Sequence, residues 1–114
     1  MTGLETTQAE RAGWQRRAAA ELVWILDTHR DLPLVAWTVG PAGATLVGHV
    51  NGLAPAGQAQ AVFHRWRAAL ALGEHTETIS GSATRYLQAV ARRNRVRLAL
   101  TATVFADEAE AVTW

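Results

Sequence analysis

Arg92-Arg93-Asn94-Arg95, with Arg97 just beyond, is the densest group of side chains able to do chemistry in this sequence. Guanidinium groups form short, charge-assisted pairs with phosphates and carboxylates, so the run suits a nucleic-acid backbone or an acidic partner. Arg85 and Tyr86 lie upstream, and Arg65 and Arg67 add to the same patch if the fold brings them near. The competing explanation is a solvated turn whose charges keep a strand edge from pairing with other chains. Nucleic-acid readers commonly carry more charge than the net +1 found here, and a recognisable module.

Other chemistry has less support. His29, His49, His64 and His75 show no pair at the spacing of metal ligands on one helix or loop. A site from Glu74, His75 and Glu77 would have to assemble in three dimensions, so no metal or cofactor is inferred. Serine occurs only at Ser80 and Ser82, with no strand-turn-helix elbow, and cysteine is absent. Nucleophilic catalysis and disulfides are thereby left without candidates. The acids fall mainly in the N-terminal segment and the tail, so no carboxylate pair for acid–base work stands out. Gly40-Pro41-Ala42-Gly43 has glycines at the spacing of a nucleic-acid backbone clamp, but strands flank it where that clamp needs helices.

Five tryptophans in 114 residues is a high count, and their placement separates two jobs. Trp14 and Trp66 fall on apolar helical stripes and are expected in the core. Trp24 falls away from the Leu22, Ile25 and Leu26 stripe, where aromatic residues mark interfaces. A protein partner or a homo-oligomer contact through Trp24 or an exposed sheet edge is expected.

Charge is uneven along the chain. Residues 55–104 carry seven arginines against two glutamates, whereas residues 105–114 carry three acids and no base. All the cationic residues are arginine, and with the frequent alanine this reads as coding bias, so arginine identity by itself carries little weight. At 49% hydrophobic and 18% charged the composition is that of a globular chain. Its length fits one domain that buries roughly two thirds of its unfolded surface. The polar N-terminus lacks the basic-then-apolar order of a signal peptide, and no apolar run approaches a bilayer span. A soluble, cytoplasmic protein is expected.

The positioning elements are led by Arg95–Phe105. Val96, Leu98, Leu100, Ala102 and Val104 alternate with Arg97, Ala99, Thr101 and Thr103, which predicts a strand with one buried face. Thr7 and Glu10 have capping-box spacing, and a helix over 8–29 follows with Trp14, Ala18, Leu22, Ile25 and His29 on one stripe, Ala19 and Leu26 beside it. Pro33 ends it. Residues 34–39 and 44–50 predict a hairpin, with Gly48 marking a bulge or a close approach. Asn51-Gly52 reads as a turn, and Pro55 opens a helix over 56–72 with Gly73 as its C-terminal cap. Residues 74–83 read as a polar connection. Two readings stay open for 83–93: a helix capped by Ser82, favoured by the spacing of Ala83, Tyr86, Leu87, Val90 and Ala91, or a strand over 84–91 that pairs with the last one.

The expected fold is therefore α+β. A small antiparallel sheet, from the 34–50 hairpin, the 95–105 strand and, in the strand reading of 84–91, a fourth strand, is covered by two or three helices in one compact domain. The acidic tail beyond Phe105 is expected to fray. A non-enzymatic binding or adaptor protein, self-association included, is the expected function, with no small-molecule ligand. The alternative is a nucleic-acid-binding regulator using Arg92, Arg93, Arg95 and Arg97. Arg65, Arg67, Tyr86 and Trp24 complete the set of candidate binding residues.

Overall fold

The computed structural model describes residues 7–40, 43–50, 56–80 and 84–105. Two helices and five strands follow as α1 (Gln8–Thr28), β1 (Ala36–Val39), β2 (Thr45–Val50), α2 (Ala56–Ala69), β3 (Thr76–Ile79), β4 (Arg85–Arg93) and β5 (Val96–Val104). The Asn51-Gly52 turn, Pro55, the Ser82 cap and the acidic tail with Trp114 lie outside the described residues.

Helix α1 starts as the sequence predicts. Glu10 donates its backbone N–H to Thr7 Oγ1 at 3.0 Å, and the Glu10 carboxylate accepts from the Thr7 N–H, closing the capping box. Ala18, Glu21 and Ile25 are buried, Trp14 and Leu22 half-buried, while Ala19 and Leu26 face solvent. The apolar stripe is thus narrower than the sequence suggests, and Trp14 is only partly in the core. Helix α2 buries Trp66 as expected, together with Ala59 and Phe63, and Leu70 just past its end is buried as well. It ends sooner than expected, however. Ala71 takes a left-handed φ of 53°, and Leu72 N–H donates to the Arg67 carbonyl at 3.0 Å. That is a Schellman closure in which Ala71 takes the C′ position expected of Gly73, which is itself left-handed two residues on, and the intervening Leu72 is buried. No described helix is long and apolar enough to cross a membrane.

The sheet is larger than expected, and mixed. Its order is β1-β2-β5-β4-β3, with β2 and β5 parallel and the other three pairings antiparallel. Residues 83–93 resolve to a strand over Arg85–Arg93, so the helical alternative is wrong. A fifth strand lies at Thr76–Ile79, inside the stretch expected to be a connection. The last strand is not an edge but the centre, flanked by β2 and β4.

Both helices pack on one face. Leu46, Val50, Leu87, Ala89, Leu98 and Leu100 meet Ala18, Ile25, Phe63 and Trp66 there in one apolar cluster. Trp37 also lies on this side, over Gly48 in the neighbouring strand; a Cβ at Gly48 would stand 2.7 Å from the ring. Gly48 therefore serves close approach rather than a bulge. Trp66 sits edge-on to Trp37 at 5.6 Å and donates its Nε1–H to the Pro33 carbonyl at 2.8 Å.

Candidate functional site

The opposite face of the sheet is covered by no described element. Register places Thr38, Val47, Ala99 and Val90 in one row across β1, β2, β5 and β4. A second row runs Ala36, His49, Thr101, Gln88, Thr76, and a third holds Thr103, Tyr86 and Thr78. The row nearest the β4–β5 turn is Thr45, Arg97, Arg92. None of these residues is an acid. The face is a lawn of hydroxyls and small apolar groups with cations at one end.

Strand alternation decides which arginines belong to it. Arg92 and Arg97 are directly opposed across the β4–β5 ladder, both exposed and both on the bare face. Their Cβ atoms are roughly 5 Å apart by that pairing, where like charges destabilise. Ion pairs among the described residues join Arg30 to Asp27, Arg85 to Glu77 and Arg93 to Glu21, and none involves Arg92, Arg95 or Arg97. Arg95 sits in the turn itself. Asn94 at φ 50° and Arg95 at φ 66° form a two-residue mirror-image turn that needs positive φ at both positions. Asparagine tolerates that conformation well, whereas arginine takes it at a cost.

Arg93 belongs elsewhere. One residue from Arg92, it points to the helix side, where its Nε lies 3.6 Å from Glu21 Oε2 and its guanidinium 4.7 Å from the Trp24 ring centroid. Asn94 Nδ2 donates to Glu21 Oε1 at 2.9 Å. Glu21 is only 5% exposed, so this pair of contacts fastens the turn to α1 around a buried carboxylate. Trp24 is half-exposed and continues through His29 to Trp66 in edge-on steps of 6.1 Å each.

The remaining sequence candidates separate as well. Tyr86 shares the bare face and is 47% exposed, at the end away from the arginines. Arg65 and Arg67 ride on α2, across the sheet from Arg92 and Arg97, and do not join that patch. Arg65 is exposed, whereas Arg67 donates to the Gly73 carbonyl and, through Nε at 3.3 Å, to His64 Nδ1. The eight candidates thus form a bare-face set (Arg92, Arg97, Tyr86), a turn residue (Arg95), a helix-side pair (Arg93, Trp24) and two residues on α2.

Sequence reasoning missed His49, whose ring lies on the bare face with Nδ1 2.7 Å from Thr101 Oγ1. The alternation around it, Val47-Gly48-His49-Val50, was the signal that could have placed it. His64 and His75 are brought together, ring centroids 4.9 Å apart. Partial burial first, and then the charges of His75 and Arg67, hold the His64 imidazole below its ordinary pKa against a smaller opposing pull from Glu77. Among the described residues, no group of three or more His, Asp or Glu gathers as a metal site would need.

A second surface lies on the α1 side. Val23, Trp24 and Leu26 are exposed large apolar residues on the helix, and Leu34, just before β1, is 94% exposed. Leu34 rims a cleft of about 180 Å³ whose walls include Leu26, Leu32, Trp37 and Trp66. Among the described strands β1 beside it pairs only with β2, and no described element pairs with its outer edge. No family model matches the chain, and neither the curated proteins nor the solved structures give a match.

Proposed function

We propose that the chain is a cytoplasmic, non-enzymatic binding or adaptor protein that works through a protein interface, self-association included. The observation that carries this reading is Leu34, an almost fully exposed leucine at the rim of an apolar cleft and next to a sheet edge that no described element pairs with. Burying such a side chain contributes roughly 1.5–3 kcal/mol, and an aromatic-floored pocket beside it has the form of an interface anchor site. Trp24, capped by Arg93, adds an amphipathic contact at the same flank. Arg95 at the turn then favours an acidic partner, setting selectivity and encounter rate more than affinity.

The two-fold version has the simplest chemistry. Two copies would lay their β1 edges together, each Leu34 entering the other's cleft. Sedimentation of the purified protein over a range of concentrations tests it. A dimer that dissociates on dilution, and that Leu34→Glu converts to a folded monomer, is expected. A wild-type chain that stays monomeric at every concentration would overturn self-association.

A further inference from the structure

We propose that the bare face of the sheet is a platform for single-stranded nucleic acid, with Arg92, Arg95 and Arg97 on phosphates and Tyr86 stacking on a base. This goes beyond the interface reading and does not depend on it, because the apolar anchors of that reading belong to the helix side of the molecule and Arg95 alone is shared by the two.

Three observations converge. The face is free of carboxylates among its described residues, and two of its cations are directly opposed without an acid between them. An anion placed over Arg92 and Arg97 converts that repulsion into a shared, charge-assisted contact. Arg95, in a left-handed conformation where glycine would be relaxed, adds a third exposed guanidinium at the same end. Backbone strain kept under a functional side chain points to a site that uses the side chain. Tyr86 then lies six residues along β4 from Arg92, about 20 Å away on the same face. His49 and the Thr101 hydroxyl that fixes its ring lie between them, and Thr103 stands directly opposite Tyr86.

That layout fits an extended strand of a few nucleotides: phosphates at the basic end, a base on the tyrosine, hydroxyls for sugar and base edges. A duplex fits less well, since reading one needs an element that enters a groove and this face presents only strands packed side by side in the sheet. An acidic peptide would satisfy the arginines but would find few large apolar partners here, Val47 and Val90 being the largest aliphatic side chains. Arg93 is excluded from the site, being committed to Glu21 and Trp24.

Fluorescence anisotropy tests this with the whole chain and three labelled probes: a mixed-sequence 12-nucleotide single strand, the corresponding duplex, and an oligoglutamate peptide. Three phosphate contacts predict that single-strand affinity falls roughly 20-fold between 50 and 200 mM salt. The double variant Arg92→Ala/Arg97→Ala, leaving one contact, should bind more weakly and show only about a 3-fold fall. Tyr86→Ala should lose roughly five-fold or more in affinity with the salt slope unchanged, a split that mere unfolding would not give. Arg65→Ala, on the helix side, should bind as wild type, and thermal melts establish that each variant is folded. Absence of single-strand binding at low salt, a duplex or peptide bound as tightly, or a double variant with the wild-type slope would each overturn the proposal.

Discussion

The guanidinium of Arg93 lies over the Trp24 ring while its Nε reaches Glu21, so one side chain joins the β4–β5 turn to α1 by two different interactions. The contact ties the turn to the helix and lies apart from the bare face of the sheet. Replacing Arg93 with alanine leaves a buried carboxylate with only Asn94 as a partner. The expected cost is about 2 kcal/mol, read as a lower urea midpoint with an unchanged slope. Because Arg93 points away from the bare face, oligonucleotide affinity should be unaltered in the folded variant.

Arg95→Gly should act in the opposite sense. Glycine relaxes the positive φ of 66°, and asparagine–glycine is the preferred sequence for this hairpin turn. A gain of about 1 kcal/mol is expected, seen as a rise in Tm of roughly 4 °C, together with weaker single-strand binding. Unchanged stability would mean that Arg95 makes a contact offsetting its backbone cost.

Gly48→Ala tests the approach of Trp37. The added methyl would stand 2.7–3.0 Å from three ring carbons, and the ring is backed edge-on by Trp66, itself anchored to the Pro33 carbonyl. A loss of about 1–3 kcal/mol follows from overpacking. Chemical denaturation measures it, and a neutral result would show that Trp37 can swing aside.

His64 supplies a pH dependence. Its pKa is lowered in the folded state, so the unfolded chain takes up the proton more readily. Stability linked to this group is complete above the ordinary histidine value and is lost as pH falls through the folded value. Denaturation midpoints compared between about pH 7.5 and about pH 5 should fall less in His64→Gln than in wild type. Equal falls would remove His64 as a contributor.

Legibility followed local pattern. The alternation of Val96 to Val104 placed β5 and its buried face, and Thr7 with Glu10 placed the start of α1 to the residue. Strand β4 was ambiguous because Tyr86, Leu87, Val90 and Ala91 fit a helix while Leu87, Ala89 and Ala91 fit a strand; the pairing with β5 decided it. Strand β3 was invisible for a different reason. All four of its residues are exposed, so burial imprinted no alternation on Thr-Glu-Thr-Ile. The parallel joining of β2 to β5 depends on residues some fifty positions apart, which no window of sequence can register. The arginine site inherited these gaps. Four arginines within six residues look like one patch until a strand with period two sends Arg92 and Arg93 to opposite faces.

The central position of β5 also sets an order of events at synthesis. It is the last of the five strands to be made, yet it supplies the partner for both β2 and β4. Until it emerges from the ribosome, the β1–β2 and β3–β4 hairpins have nothing to join them, and the apolar faces of α1 and α2 have only part of a floor. Productive folding of this domain is therefore expected after its residues have left the exit tunnel, with nascent chains cut before Val96 remaining open to proteases and chaperones.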